Sequence, residues 1–363
     1  MYRKKTLCYN QLRAAQKPAH TADPSAANKI NYENGGNDLM RKILALTLCL
    51  VMALSLIPAV AEEAAPVKTG LSIATSMSAA KNGGVQVTIN MTAVTVDDNG
   101  IIDAVVIDSL QATVGVDAAG QLTTDPATVF QSKNELGEAY GMKGVSSISK
   151  EWNEQAAAFA AYCTGKTLEE VKGMPVTEKG APADAELAAG CTMGAYNFVP
   201  GIEAAVANAQ HLGAKKGDAL KLAQVTNASG SKSATAEAAG KTQVYATVAA
   251  ITLTGDVISS CAIDAVQATA AFDATGAVTS DLTAPVQTKN QLGDNYGMRK
   301  ASKIGKEWFE QAAGFAAFIT TKTVAEATGV AVNESGYPTD ADLTATTTMG
   351  IGDFITLLNK IAQ

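Results

Sequence analysis

A ten-residue stretch carrying amides, glycines and a tyrosine occurs twice in this sequence. It reads KNELGEAYGM at 133–142 and KNQLGDNYGM at 289–298. Its glycines allow close approach of the backbone to a bound molecule, its asparagine can donate and accept hydrogen bonds, and its tyrosine has a flat face. The combination predicts a binding loop; the alternative is a structural crossover whose tyrosine covers the core. The candidate binding residues are Asn134, Gly137 and Tyr140, with their counterparts Asn290, Gly293 and Tyr296.

The histidine count disfavours two large classes of enzyme. The chain has two histidines, His20 near its start and His211 in an Ala/Gly/Lys stretch between the repeats. A Ser-His-Asp triad needs a histidine in a packed site, and catalytic zinc usually takes two or three. The sequence therefore predicts that the chain is not a stand-alone enzyme of either class.

The cysteines beyond residue 61 indicate no redox or zinc motif. They form no CxxC pair, and their odd number leaves at least one thiol unpaired if the protein is exported. Cys163 falls on a predicted apolar helix face and is expected to be a small buried side chain. The three are Cys163, Cys191 and Cys261.

The segment 40–61 has the pattern of a secretory signal peptide. Met40 is followed by two basic residues, an apolar run of about 15 residues and the small-residue site Ala59-Val-Ala61. A membrane anchor is the alternative, but a spanning helix needs roughly 20 apolar residues. Residues 1–39 are polar and mixed, and are predicted not to belong to the native product. We expect a mature chain from Glu62, secreted or held loosely at the cell surface.

The charge of residues 62–363 argues against nucleic acid as a partner. This part has 20 Lys and Arg residues and 32 Asp and Glu residues, and Arg299 is its only arginine. Recognition of phosphate backbones depends on clustered lysine and arginine. An acidic balance is typical of a soluble extracellular protein.

The repeated stretch belongs to a longer duplication. Between 133–198 and 289–354, 36 of 66 aligned residues are identical without a gap. The pattern predicts two tandem units, a first unit at 67–211 and a second unit at 217–363, each with its own core. Two copies are too few for a solenoid.

Periodicity predicts the same elements in each unit. Alternating β-branched segments joined by tight turns indicate an antiparallel sheet, and an apolar stripe headed by tryptophan indicates a helix on one face of that sheet. The predicted class is α+β, with two similar domains, each an antiparallel sheet with helices packed on one face. The predicted strands are 85–96, 101–107, 111–116, 242–253, 257–263 and 268–272. The predicted helices include 149–163, 167–172, 195–209 and 351–362.

The order of these features resembles the FMN-binding domain family, which includes flavin-carrying subunits of ion-pumping redox complexes. The resemblance rests on GGVQVTINMTAVTVDDNGII at 83–102, on the loop KNELGEAYGM before an aromatic helix, and on AGCT at 189–192 and ATTT at 345–348. The family has Ser-Gly-Ala-Thr at the last position, and its threonine carries FMN through a phosphoester. Neither copy here has that motif intact, and the Pro-Gly of the family's loop is absent.

This resemblance implies FMN as a cofactor, with Thr192 and Thr348 as attachment sites and the loops with Tyr140 and Tyr296 as the opposite walls. It implies an exported electron-transfer flavoprotein with a redox partner at the membrane surface. The alternative is a non-catalytic surface or ligand-binding protein whose diverged units carry no flavin. In that case the two threonines are expected to be helix caps.

Overall fold

Seven strands form two antiparallel sheets in the computed structural model, which describes residues 64–363. The first sheet has the order β1-β2-β3 and the second β4-β5-β6-β7. The predicted signal peptide and the segment before it lie outside the described residues. The strands are β1 (Lys68–Ala79), β2 (Val85–Val96), β3 (Ile102–Val114), β4 (Val129–Phe130), β5 (Ala219–Asn227), β6 (Gly240–Thr254) and β7 (Val257–Phe272).

The hairpin between β2 and β3 forms where the sequence predicts it. The Asp97 carboxylate accepts hydrogen bonds from the backbone N–H of Asn99 and of Ile101 at 2.9 and 2.8 Å, and Gly100 has φ of 80°. A positive φ of this kind favours glycine. In the second unit, Gly255 has φ of 65° in the matching turn between β6 and β7.

The strand after each hairpin is continuous, which corrects the prediction of two pieces. The predicted strands 101–107 and 111–116 form one strand, β3, and 257–263 and 268–272 form β7. The predicted pieces left out the polar residues Asp108 and Ser109. Both are buried within β3, where Asp108 accepts hydrogen bonds from outside the sheet, so the strand continues through them. Strands β1, β4 and β5 were not predicted.

Ten helices follow the strands in the described residues. Those of the first unit are α1 (Lys133–Leu136), α2 (Trp152–Cys163), α3 (Leu168–Lys172), α4 (Ala185–Gly190) and α5 (Val199–Ala207). Those of the second are α6 (Lys289–Leu292), α7 (Trp308–Ile319), α8 (Val324–Thr328), α9 (Ala341–Thr344) and α10 (Gly352–Ile361). The predicted helix at 195–209 is a short 3₁₀ turn, Ala195–Asn197, followed by α5.

Each sheet has helices packed on one face, as predicted. In the first unit, Phe159 of α2 and Ile202 of α5 pack with Val94 and Ile107 of the sheet. In the second unit, α7 and α10 form the equivalent core on β5, β6 and β7. None of the helices in residues 64–363 is long and apolar enough to cross a membrane.

A third core joins the two units, whereas the sequence predicted one separate core for each. Met91 and Leu110 of the first sheet pack with Val248 and Val266 of the second. The layers are therefore helices, sheet, sheet and helices. The physical reason is that the central strands bury apolar side chains on both faces, so each sheet needs a cover on its second face.

Polar contacts also cross between the units. Strand β4, from the first unit's range, pairs with β5 through Val129 and Asn227. The Lys360 ammonium contacts the Glu135 carboxylate at 2.5 Å. Gln224 Nε2 donates to the same carboxylate at 2.6 Å. The described residues accordingly form one compact body.

Candidate functional site

The first half of the repeated stretch is fixed to the middle of the sheet in both units. Asn134 Nδ2 donates to the carbonyl of Ile107 at 2.9 Å, and its backbone N–H donates to the Asp108 carboxylate at 3.1 Å. Asn290 makes the same two bonds, to Ile263 at 3.0 Å and to Asp264 at 3.0 Å. The two asparagines therefore connect the loop to β3 or β7.

The glycines of the stretch serve the turn of the backbone. Gly137 and Gly293 have φ of 51° and 52°, in the region that favours glycine. A Cβ at either position would meet no protein atom within 4 Å. The positive φ alone explains glycine at these positions. No other part of the described protein comes close enough to require the absence of a side chain.

The second half of the stretch is fixed by a buried glutamate at the start of the tryptophan helix. The Glu151 carboxylate accepts hydrogen bonds from the backbone N–H of Met142 at 2.8 Å and of Lys143 at 2.9 Å. Glu307 does the same for Met298 and Arg299. Hydrogen bonds from two backbone amides compensate the burial of each carboxylate. The repeated stretch is thus a structural clamp between sheet and helix.

The predicted attachment threonines are hydrogen-bonded to a buried glutamine on that helix. Thr192 directs its backbone N–H and its hydroxyl to Gln155 Oε1, at 2.9 and 3.3 Å. Thr348 makes the same bonds to Gln311, at 2.8 and 3.4 Å. Neither threonine caps a closing helix, because α5 starts after Phe198 and α10 after Ile351. The helix-cap alternative is therefore wrong.

A cleft of about 390 Å³ opens in the first unit between the helix side of the sheet, α2 and the segment before α5. Its walls combine two amides, a carboxyl, an ammonium and three aromatic rings: Asn90, Asn197, Asp108, Lys133, Trp152, Tyr196 and Phe198. The predicted site residues of this unit, Asn134, Gly137, Tyr140 and Thr192, are not among its lining residues. Asn134 lines a shallower groove between β3 and α2 instead.

Burial affects the carboxyl of the cleft. Asp108 is 5% exposed, and burial raises its pKa to about 6. Hydrogen bonds from Ser132 and from the backbone N–H groups of Asn134 and Ser109 oppose that shift. The group therefore changes charge in a mildly acidic range rather than near pH 4.

The corresponding place in the second unit contains a tyrosine side chain. Asn90 pairs with Ser109 across the sheet and Thr247 pairs with Ala265, so Tyr245 occupies the position of Thr88. Its hydroxyl accepts a hydrogen bond from Lys289 Nζ at 3.0 Å. The phenol also interacts with Thr247, Asp264 and Asp353. These residues correspond to the cleft residues Asn90, Asp108 and Asn197 of the first unit.

Lys289 is enclosed by three aromatic rings. Its Nζ lies 4.6 Å from the ring centroid of Tyr245 and 4.7 Å from those of Tyr296 and Trp308. The residue is 5% exposed, and burial lowers its pKa to about 8 although Asp353 and Asp264 favour the charged form. Attraction between the ammonium and the ring faces offsets part of the cost of desolvation.

Lys133 in the first unit has equivalent surroundings, but two aromatic rings instead of three. Its Nζ lies 5.0 Å from the ring centroid of Tyr140 and 4.9 Å from that of Trp152. Thr88 supplies no ring, so this lysine lies in the wall of an open cleft. The predicted binding tyrosines, Tyr140 and Tyr296, are thus contacts of the motif's own lysines.

Comparison with protein-family models, curated proteins and solved structures gave no match to this chain.

The free thiols are buried and no metal-binding cluster occurs in residues 64–363. Burial raises the pKa of Cys163 and of Cys261 to about 12, and also raises that of Cys191. A thiol in such surroundings is a poor nucleophile. Cys163 is a small buried side chain, as predicted.

Sequence reasoning missed the cleft residues because it followed what the repeats share. Asn90 and Tyr196 differ from their counterparts Thr247 and Gly352. The signal that could have found them was the set of positions at which the second copy departs from the first.

Proposed function

We propose that this chain is an exported, non-catalytic binding protein whose first unit takes a small ligand and whose second unit is structural. The observation that carries the proposal is the contrast at one equivalent site, open in the first unit and filled by Tyr245 in the second. A volume of about 390 Å³ lies within the roughly 300–1,000 Å³ of small-molecule sites. A few polar groups around aromatic walls are also usual for such sites.

The second unit supports this proposal because it shows how the site is closed. Tyr245 fills the space, and its hydroxyl bonds the lysine that would otherwise face a ligand. The surrounding framework is the same, with the same clamp from Asn290 and Glu307. Threonine against tyrosine is one of the residue differences that accompany the change from cleft to closed core, together with Asn90 against Thr247 and Tyr196 against Gly352.

The proposal of export rests on the sequence of 40–61. Its basic start, apolar run and small-residue site have the order of a signal peptide. The expected mature N-terminus is Glu62. N-terminal sequencing of protein from the medium or the cell surface tests this, and a start at Met1 or an uncleaved Met40 would contradict it.

Flavin remains a competing prediction, and the residues at the two threonines fit a phosphoester poorly. A phosphate near a helix start binds free backbone N–H groups. Here the N–H groups of Thr192, Thr348 and Met349 donate to glutamine side chains. In the cleft itself, the ionised Asp108 carboxyl would repel a phosphate that the Lys133 ammonium attracts, so the charges give no net preference for an anion.

Co-expression with the flavin transferase of the family distinguishes a flavin-free binding protein from a flavoprotein. We expect no flavin fluorescence on the protein band after denaturing gel separation. An intact member of the family, expressed in the same cells, is the control. Fluorescence that disappears with Thr192→Ala or Thr348→Ala would establish the flavoprotein and overturn the proposal.

Reciprocal substitution tests the cleft directly. A panel of neutral saccharides, free amino acids, short peptides and FMN is screened by thermal shift, since a ligand that binds the native state raises the melting temperature. We expect at least one class to stabilise the wild type and to lose its effect in Thr88→Tyr. The matched variant Tyr245→Thr should open a second site. No shift from any class, or a shift that Thr88→Tyr retains, would overturn the proposal.

A further inference from the structure

Tyr196 presents an exposed aromatic face at the edge of the cleft. The residue is 68% exposed and lines the cleft. Its ring lies directly against the backbone of two glycines: a Cβ on Gly194 would come within 2.1 Å of the ring, and one on Gly180 within 3.0 Å. The two glycines therefore leave room for the ring, most of whose surface remains exposed. The second unit has Gly352 at this position and has no such ring.

The amides beside this ring offer both kinds of hydrogen-bonding group. The Ser109 hydroxyl donates to Asn90 Oδ1 at 2.8 Å, which leaves the Asn90 NH₂ group as a donor. Asn197 Nδ2 donates to the Gly194 carbonyl at 3.1 Å, which leaves the Asn197 oxygen as an acceptor. A ligand that fits both must itself donate and accept.

The charges of the cleft do not favour a strongly anionic or cationic ligand. Its lining has one carboxyl, Asp108, and one ammonium, Lys133. The lysine is held over the rings of Tyr140 and Trp152. Opposite charges of equal number leave little net field for a charged ligand.

We propose that the cleft of the first unit binds a neutral saccharide, with one sugar ring stacked on the exposed ring of Tyr196. This inference rests on the proposed function and specifies its ligand. The C–H groups on one face of a pyranose carry partial positive charge and are attracted to the negative π face of an aromatic ring. Each sugar hydroxyl is both donor and acceptor, which matches the free groups of Asn90 and Asn197.

Titration with defined sugars tests the inference on residues 62–363. The probes are glucose, N-acetylglucosamine, maltotriose, cellotriose and chitotriose, followed by tryptophan fluorescence and by calorimetry. Trp152 lines the cleft and reports on it, and Trp308→Phe removes the signal of the other tryptophan. We expect saturable binding of at least one probe.

Substitutions of the stacking ring give the specific readout. Tyr196→Gly introduces the residue of the second unit and should weaken binding about 5- to 10-fold, as expected for loss of one stacking contact. Tyr196→Phe keeps the face and should bind nearly as the wild type. The matched control is Tyr337→Ala, which removes a 45% exposed tyrosine of the second unit and should change nothing.

The outcomes distinguish this inference from the proposed function. Sugar binding that is equal in wild type and Tyr196→Gly overturns the stacking geometry. Binding of amino acids, peptides or FMN but of no sugar, lost in Thr88→Tyr, overturns the saccharide and leaves the binding cleft standing. No binding by any probe, with the fold intact by circular dichroism, overturns both.

Discussion

The two units keep the same clamp but differ in the space that the clamp encloses. Asn134 and Asn290 make the same bonds to the sheet, and the tryptophan helix begins in the same way in both. The first unit has a cleft there and Thr88 on the adjoining strand, whereas the second unit has Tyr245 at the equivalent strand position, with its hydroxyl bonded to Lys289. Residues shared by the repeats therefore hold the fold and part of the cleft wall, whereas differing residues such as Asn90 and Tyr196 complete the candidate site.

The closed unit also shows the cost of burying a lysine ammonium, which the open cleft avoids. Lys289 loses nearly all contact with water, and burial lowers its pKa. Three rings and the hydroxyl of Tyr245 compensate this cost in part. In the open unit, the ammonium of Lys133 has two rings. A ligand in the cleft would occupy the side on which Tyr245 lies in the other unit.

The largest expected effect comes from removing either tryptophan. Trp152 packs edge-on against Phe198, and Trp308 against Phe354, with ring centroids 6.1 Å apart in both pairs. Trp152→Ala and Trp308→Ala should each lower the free energy of unfolding by about 3–5 kcal/mol. Chemical denaturation followed by circular dichroism measures both.

The same pair of variants tests whether the units behave as one body. Because the sheets share a core, each substitution should shift a single cooperative transition of residues 62–363. The conservative variants Trp152→Phe and Trp308→Phe should cost less. Two separate transitions, with only one moved by each variant, would show that the shared core does not couple the units.

Much of the fold could be predicted from local patterns in the sequence. Strand β2 has the predicted bounds, Val85–Val96, and the hairpin after it follows from Asp97 and Gly100. The tryptophan helices follow from an apolar stripe with period near 3.6 residues. These features depend on contacts between residues close in the chain, which local periodicity records.

The rest depends on partners that are distant in the chain. The continuity of β3 through Asp108 was missed because the partner of its buried carboxylate is distant in the chain. The backbone N–H of Asn134, 26 residues away, donates to it. The shared core was missed because burial on both faces of β2 gives no sign of which surface covers each face. The cleft was missed for a different reason, since its distinguishing residue, Tyr196, lies where the repeats disagree.

The pH dependence of stability should distinguish the buried carboxyls of the two units. The pKa of Asp108 is about 6 in the folded protein and lower in the unfolded chain, so the folded state binds more protons between pH 4 and 6. Stability should therefore fall as pH rises through this range, by about 2–3 kcal/mol from this group. Asp108→Asn should remove that fall, measured by denaturation at pH 4 to 7.

Asp264→Asn is the matched control in the second unit. Burial also raises the pKa of Asp264, but nearby Lys289 opposes the shift. Its removal should flatten the pH profile less than Asp108→Asn does. Equal effects of the two variants would mean that the open and closed sites have the same electrostatics. That result would contradict the proposed difference between the two units.

The most local expected effect is a change in the pKa of one side chain, Lys289. Because its folded pKa of about 8 lies below the usual 10.5, the unfolded chain binds more protons between pH 8 and 10, and stability should rise with pH there. Tyr245→Thr admits water to the ammonium, so the Lys289 pKa should move back toward its usual value and that rise should weaken. NMR titration of ¹³C-labelled lysine side chains measures the pKa, with Lys289→Met to assign the signal. An unchanged pKa in Tyr245→Thr would show that Tyr245 does not enclose this lysine, and the contrast between closed and open units would then need another cause.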